Sequence, residues 1–294
     1  MAAPARPERH GRLAIVAGWG HLPLYLAEAA RAAGEDPVII ALANEANQTF
    51  SGYDMVTANV GDLAGIERFM RQKGVDRVVM SGAVRRRPDW REIRPTFRTL
   101  VKVPAVARTL LSGGDDAVLQ MVIRLFEGMG CRVIGAHEIA PGLLARTGVL
   151  TTATPSADDL RDVEEAIKAA LALGELDVGQ GAVSVGGRVV ALEGAEGTDR
   201  MLERVALLRD EGRISRRRRG VLVKLCKPQQ DVRADLPAIG ISTVTNAARA
   251  GLAGIAVEAG RALVLDEQAV IAAAEEAGLF VCGIDTKLPR GGLQ

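Results

Sequence analysis

Two lysines and two aspartates crowd one short stretch of the chain, residues 221–237, VLVKLCKPQQDVRADLP. Lys224 interrupts an apolar run that reads as a buried strand, Lys227 ends it, and Pro228, with no amide to donate, forbids its continuation. Two ammonium groups therefore stand where a strand stops. Asp231 and Asp235 follow, and Leu236-Pro237 keep the neighbourhood of Asp235 extended. Such a loop can gather cations and carboxylates around one polyanionic group. The same residues also fit a strand with a snorkelling lysine and a solvated turn.

A second acidic stretch, residues 193–199, EGAEGTD, lies between a strand and a helix. Glycines between acids at such a turn can bring carboxylates and the Thr198 hydroxyl toward one metal or phosphate. Thr198 or Asp199 can equally be the cap of the helix that starts near Arg200. Asp115 and Asp116 precede an amphipathic helix, where acids suit the first turn. His137 is expected at the carboxyl end of a strand, where a lone histidine serves structure more often than catalysis. Two basic tracts complete the inventory: Arg85-Arg86-Arg87 after Ser81-Gly82, and Arg216 to Arg219. The first is placed for phosphate or partner contact; the second can be a solvated face or a contact for anionic lipid.

The elements that must position these residues alternate along the chain. Residues 13–17 read as a strand, residues 18–23 (GWGHLP) as a glycine turn, and the next stretch as a helix. That order aims backbone amides and a helix dipole at a phosphate, although the dinucleotide fingerprint lacks its third glycine. Residues 37–42, 75–82 and the run from Cys131 supply further strands, with a helix over 62–74 between the first two. Alternating strands and helices predict a parallel sheet with ligands at the carboxyl ends of its strands. Periodicity lapses over residues 141–155. A capped helix over 156–174 then opens a second, less regular α/β part, with a hairpin turning at Gly186-Gly187. The expected division is 1–138, a Rossmann-like domain, and 139–294, an α/β catalytic domain, with the ligand in a cleft between them.

Length and composition agree with two ordinary cores. The chain has 294 residues, 48% hydrophobic and 25% charged, but only 3% aromatic, too few for stacking on exposed bases. Basic residues number 37 and acidic 36, so no global field steers it to nucleic acid. Cys131, Cys226 and Cys282 each lie in apolar runs and read as buried free thiols of a reducing compartment. The first residues contain no apolar signal segment and no run approaches a bilayer span. A cytoplasmic protein is expected, with peripheral contact to a membrane open to it.

Laid end to end, the motifs resemble the two-domain, cytoplasmic UDP-2,3-diacylglucosamine pyrophosphatase family of lipid A biosynthesis. G-x-G-x-L-P (18–23), a variant V-x-R-x-P-D (84–89), G-D-D-A (114–117), G-A-H-E (135–138) and D-x-G-Q-G-A-V (177–183) carry the resemblance. E-G-T-D (196–199), K-x-x-K-P-x-Q-D-x-R-x-D-L-P (224–237) and A-G-L-x-G-I-x-x-E-A-G (250–260) complete it. It implies Mg2+-dependent hydrolysis of UDP-2,3-diacylglucosamine, water attacking the α-phosphorus to release UMP and the diacylglucosamine 1-phosphate. It further implies Asp235, Lys224 and Lys227 as catalytic residues, and Asp235, Glu196 and Asp199 as metal ligands. Substrate contacts are expected from Gly18, Gly20, Leu22, Ser81, Gly82, Asp115, Asp116, His137, Gln180, Thr198 and Asp199, and the protein is expected to be a homodimer. Trp19 stands where that family carries a small residue, which is expected to obstruct the glycine turn. The rival readings are a nucleotide-binding oxidoreductase, resting on the Rossmann-like start, and a non-catalytic nucleotide- or lipid-sensing module using the same loops.

Overall fold

The computed structural model describes residues 11–84 and 115–293. Arg85, Arg86 and Arg87, and the residues just before Asp115, lie outside them. The chain divides into two compact units, Met1–Ala140 with Arg233–Asp235, and Pro141–Val232 with Leu236–Gln294. Among the described residues no helix is long and apolar enough to cross a membrane.

The first unit is built on five parallel strands, β1 Arg12–Ala17, β2 Val38–Leu42, β3 Asp54–Ala58, β4 Val75–Ser81 and β5 Arg132–Ile134. They lie in the order β3-β2-β1-β4-β5, with Ile15 flanked by Ile39 and Val79. β1 and β2 are buried almost throughout, which is why they read as continuous apolar runs. β3 is the edge strand the sequence reading missed. Its residues are mostly exposed, so no apolar run betrays it, and Asp54 at its start pairs with Arg12 at 2.8 Å and Lys73 at 3.0 Å. Those two hydrogen bonds hold the Asp54 carboxyl below its ordinary range.

Helices α1 Leu22–Ala32, α2 Leu63–Gln72, α3 Asp115–Gly128 and the short α4 Ala136–Ile139 accompany this sheet. Pro23 lies in the first turn of α1, where a missing amide costs nothing. Asp62 caps α2 by accepting from the Gly65 amide at 3.1 Å.

The chain crosses sides between β1 and β4, and just beyond their ends two glycines meet. A Cβ on Gly18 would stand 2.6 Å from the Ala83 carbonyl oxygen, and one on Gly82, at φ +83°, would stand 2.7 Å from that of Trp19. Paired amides of Trp19 and Ala83 close this crossing at 2.8 and 2.9 Å. The glycines are therefore explained by one backbone packing on another.

The second unit carries a mixed six-stranded sheet. Its strands are β6 Gly148–Val149, β7 Gly181–Ser184, β8 Val189–Leu192, β9 Val221–Lys224, β11 Gly254–Glu258 and β13 Phe280–Ile284, ordered β6-β13-β11-β9-β7-β8. β9, β11 and β13 run parallel; β6, β7 and β8 run against their neighbours. A separate parallel pair joins β10 Ala238–Ile239 to β12 Leu263–Val264. Helix α5 Ala157–Glu175 covers one face, and α6 Gly197–Asp210, α7 Ile241–Arg249 and α8 Glu267–Ala277 the other.

Strand alternation sorts the side chains between two cores. Val221 and Val223 join Leu160, Val163 and Ile167 of α5, whereas Leu222 joins Met201, Leu202 and Val205 of α6. The phase places Lys224 on the α6 face. All three cysteines are buried thiols, and burial pushes that of Cys282 up to about 12.

Asp162 of α5 fixes the β7–β8 hairpin. Its carboxylate, 3% exposed, accepts from Ser184 Oγ at 2.7 Å and from the Gly186 and Gly187 amides at 2.9 and 2.6 Å. Both glycines have positive φ, as a two-residue hairpin turn requires. Asp162→Ala is expected to cost about 3 kcal/mol, because three donors lose a charged acceptor at once. Thermal denaturation would register this as a fall of roughly 6–12 °C; an unchanged midpoint would remove Asp162 from the hairpin's support. Gly82→Ala should cost the first unit about 2 kcal/mol or more, combining a left-handed φ with a backbone collision. Gly20→Ala, with open space around its Cβ position, should cost less. Equal midpoints for the two variants would contradict the packing account.

Candidate active site

In each unit the candidate residues gather at the carboxyl ends of parallel strands. In the first, Ser81 ends β4 with its hydroxyl oxygen buried and, among the described residues, without a hydrogen-bond partner. His137 is on α4, which packs against α1 and β4, and its Nδ1 is also buried without a partner. Asp116 in the first turn of α3 accepts from Gln120 through Oδ2 at 2.9 Å, while Oδ1 is buried and unpartnered. Asp115 begins the same helix. Unsatisfied buried polar atoms are rare in folded proteins and mark places where a ligand or water completes the bonding.

Two expectations for this unit change. His137 does not end a strand: Glu138 Oε1 takes the Gly135 amide at 3.0 Å, turning the chain into α4 directly after β5. The glycine turn is also not an open phosphate cradle. The amides of Gly18, Trp19 and Gly20 donate to Ser81 O, Ala83 O and Asn47 Oδ1, each at 2.8 Å. Leu22, the first residue of α1, is half-buried, and the Trp19 side chain is 42% exposed.

In the second unit Lys224 closes β9 only 5% exposed, directly opposite Gly181 on β7. Burial of an ammonium requires acceptors, and the Ala238 carbonyl supplies one at 3.1 Å. Gln180 precedes Gly181, gives its carbonyl to the Leu225 amide, and leaves its own Oε1 buried without a partner. Lys227 is committed to Asp177, Nζ to carboxylate at 2.7 Å, and both are largely shielded. Its charge is thus already balanced inside the protein. Gln230 Oε1 accepts the Lys227 amide and Glu258 accepts the Cys226 amide, which fixes the path of the loop after β9.

The acids sort differently from expectation. Glu196 is exposed and pairs with Arg204 at 2.9 Å; Asp199 is exposed and accepts from Asn246 at 3.0 Å. Thr198 does not cap the helix through its own chain end but donates to Glu193 Oε1 at 2.7 Å. Asp235, an exposed residue after the turn at 232–234, belongs to the first unit with Arg233, whose guanidinium meets Glu127 at 3.0 Å. Among the described residues no group of three or more His, Cys, Asp or Glu side chains converges as a metal cage would. Mg2+ that accompanies phosphates takes most of its oxygen ligands from them and from water, and needs no such cage.

Asp177, Glu193 and Glu258 are participants that the sequence alone does not mark as site residues, although Glu193 opens the 193–199 acidic stretch. The signal for Glu193 was its phase: it continues β8 two residues beyond buried Ala191, so alternation turns it inward. Asp177 and Glu258 stood inside quoted motifs, but only the folded loops reveal their partners.

Comparison with known proteins gives these residues a setting. The LpxI N-terminal domain matches residues 12–143 and the LpxI C-terminal domain residues 146–282. A Caulobacter vibrioides protein named UDP-2,3-diacylglucosamine pyrophosphatase LpxI is 42% identical over 276 residues, 93% of this chain and 98% of the relative. Among solved structures, the Bordetella bronchiseptica enzyme WbmG in complex with NAD and UDP aligns at 20% identity over 42% of this chain and 36% of its own, with TM-score 0.28. The UDP-glucose 4-epimerase of Thermus thermophilus in complex with NAD aligns at 13% identity over 91% and 84%, with TM-score 0.30. Neither structural likeness is close enough to carry an argument. The two domain matches and the near full-length relative do: the chain belongs to the LpxI family.

Proposed function

We propose that this chain hydrolyses the pyrophosphate of UDP-2,3-diacylglucosamine, a step of lipid A biosynthesis. Water attacks the α-phosphorus, the bond from that phosphorus to the bridging oxygen breaks, and UMP and 2,3-diacylglucosamine 1-phosphate leave. The observation that carries the reading is the relationship to the Caulobacter relative of that name along almost the whole of both chains.

Phosphoryl transfer needs charge neutralised on non-bridging oxygens, reactants held in line and an oriented water. Lys224 supplies a buried ammonium at a strand end, where low dielectric strengthens its pull on phosphate oxygens. Lys227, balanced by Asp177, is better suited to holding the loop than to neutralising substrate. The unpartnered Ser81 Oγ and His137 Nδ1 suit the hydroxyls and polar edges of the uridine half. Asp235 is the carboxylate assigned to the metal. Mg2+, when bound, would neutralise the pyrophosphate and fix its geometry.

A cytoplasmic homodimer with peripheral access to the inner membrane belongs to the same proposal. The two acyl chains of the substrate support membrane access. Arg216 to Arg219 are all exposed; Arg216 lies 3.8 Å from Asp210, and Arg218 and Arg219 also donate to the carbonyls of Gly186, Leu252 and Gly278. The oxidoreductase alternative loses support, because the glycine turn uses its amides internally.

The test is UMP release from UDP-2,3-diacylglucosamine by the purified chain with Mg2+. Asp235→Ala is expected to reduce kcat by about a thousandfold or more with KM changed little, since an exposed residue can be truncated without opening the core. Near-normal turnover of that variant would remove Asp235 from the mechanism, and absence of UMP release by the unaltered chain would overturn the function.

A further inference from the structure

We infer that Glu193 is a catalytic residue of this chain, the carboxylate that takes the proton of the attacking water, with Thr198 as its positioning residue. The inference rests on the hydrolysis proposed above and gives a specific role to a residue that the sequence marked only as the start of the 193–199 acidic turn.

Glu193 follows β8, and its amide donates to the Gly181 carbonyl at 2.9 Å. The residue is 7% exposed; Thr198 Oγ1 holds Oε1 at 2.7 Å, and Oε2 is buried with no partner. A carboxylate left half-satisfied in the interior is costly, so its persistence calls for a donor that arrives from outside. The geometry says where. A side chain at position 181 would meet Oε2 at 2.5 Å, so the carboxylate lies over Gly181. Lys224 is the residue directly across from Gly181 on the next strand and shares that face. Neighbouring strands are separated by about 5 Å, so the carboxylate over Gly181 and the Lys224 chain stand on adjacent strands of one face. Among the described residues Lys224 Nζ donates to the Ala238 carbonyl and Glu193 Oε1 accepts from Thr198, so neither of these bonds joins the two groups to each other.

The neighbouring acids do not meet these conditions. Glu196 is committed to Arg204, and Asp199 accepts from Asn246, both in the open. One carboxylate oxygen oriented by a hydroxyl while the other is left without a partner is the arrangement an oriented general base needs. Water loses a proton to Oε2 as its oxygen bonds to one phosphorus of the pyrophosphate; the bond from that phosphorus to the bridging oxygen breaks, its electron pair leaves with the other phosphate, and Glu193 then returns the proton to solvent. The charged groups around it are Lys224 on β9 and, on or beside α6, Glu196, Asp199 and Arg204, the last donating to the Leu192 carbonyl at 2.7 Å.

The experiment compares full-length wild type, Asp235→Ala, Glu193→Gln, Glu193→Asp and Thr198→Val in UMP release across pH, with thermal midpoints measured in parallel. Glu193→Gln keeps the volume and the acceptor for Thr198, and is expected to lower kcat by about a hundredfold to ten-thousandfold while KM stays within about threefold. It should also abolish the acidic limb of the kcat/KM profile. Glu193→Asp should retain that limb at reduced rate, and Thr198→Val should retain it with about a tenfold loss. A Glu193→Gln protein with wild-type kcat, or one whose loss is confined to KM with the acidic limb intact, would overturn the inference. So would a Glu193→Asp protein that folds and lacks the limb. If wild type itself releases no UMP, the function fails; if wild type is active and only Glu193→Gln is indifferent, this inference alone fails.

Discussion

The bond from Lys224 Nζ to the Ala238 carbonyl is the constraint on which the chemistry-bearing part of this chain depends. An ammonium can enter a sheet interior only with acceptors, and this acceptor lies fourteen residues further along the chain. Satisfying the lysine therefore closes the loop that contains Lys227, Gln230 and Asp235. Closure of such a segment is entropically costly, and the buried charge helps to offset it. The remaining bonds of the loop, Cys226 to Glu258, Lys227 to Gln230 and Lys227 to Asp177, then act on a chain whose ends are already tied.

Much of this was legible in the sequence, for reasons specific to each element. β1, β2 and β9 are buried on both faces and show as apolar runs; the hairpin shows as Gly186-Gly187; the α5 cap shows as Ser156 followed three residues later by Asp159. β3 was hidden because an edge strand with exposed polar residues has no hydrophobic signature. The lysines, Ser81, His137 and Thr198 were found by type and motif, but whether each is free or engaged depends on partners brought from afar. Asp177, fifty residues from Lys227, decides that lysine's electrostatics. Glu193 showed only as the first acid of the 193–199 turn; its burial did not, because charged residues are expected outside, and only a buried strand end makes the inward phase of an acid meaningful.

Both units leave polar atoms unsatisfied at the carboxyl ends of their strands: Ser81, Asp116 and His137 in one, Gln180 and Glu193 in the other. Each such atom costs about 1–3 kcal/mol, while the hairpin carboxylate Asp162 is fully engaged. Among the described residues Asp76 Oδ1 and Arg77 Nε, near the start of β4, are buried without a hydrogen-bond partner as well, so incompleteness is not confined to the strand ends. At the strand ends, a ligand that supplies the missing partners would recover the deficit as affinity for the folded state.

Arg209 shows how far a tract's appearance can diverge from its physical role. Its guanidinium donates to the carbonyls of Ala250, Ser215, Arg218 and Arg219, and burial followed by the nearby Arg219 charge lowers its affinity for its proton. The planar fork gathers backbone segments that an ammonium could not reach together. What looks in the sequence like a polycation facing outward is in good part a knot of cations tied around backbone dipoles. The electrostatic reach of such a region is smaller than its formal charge, and its tolerance for lysine is set by directionality instead of sign.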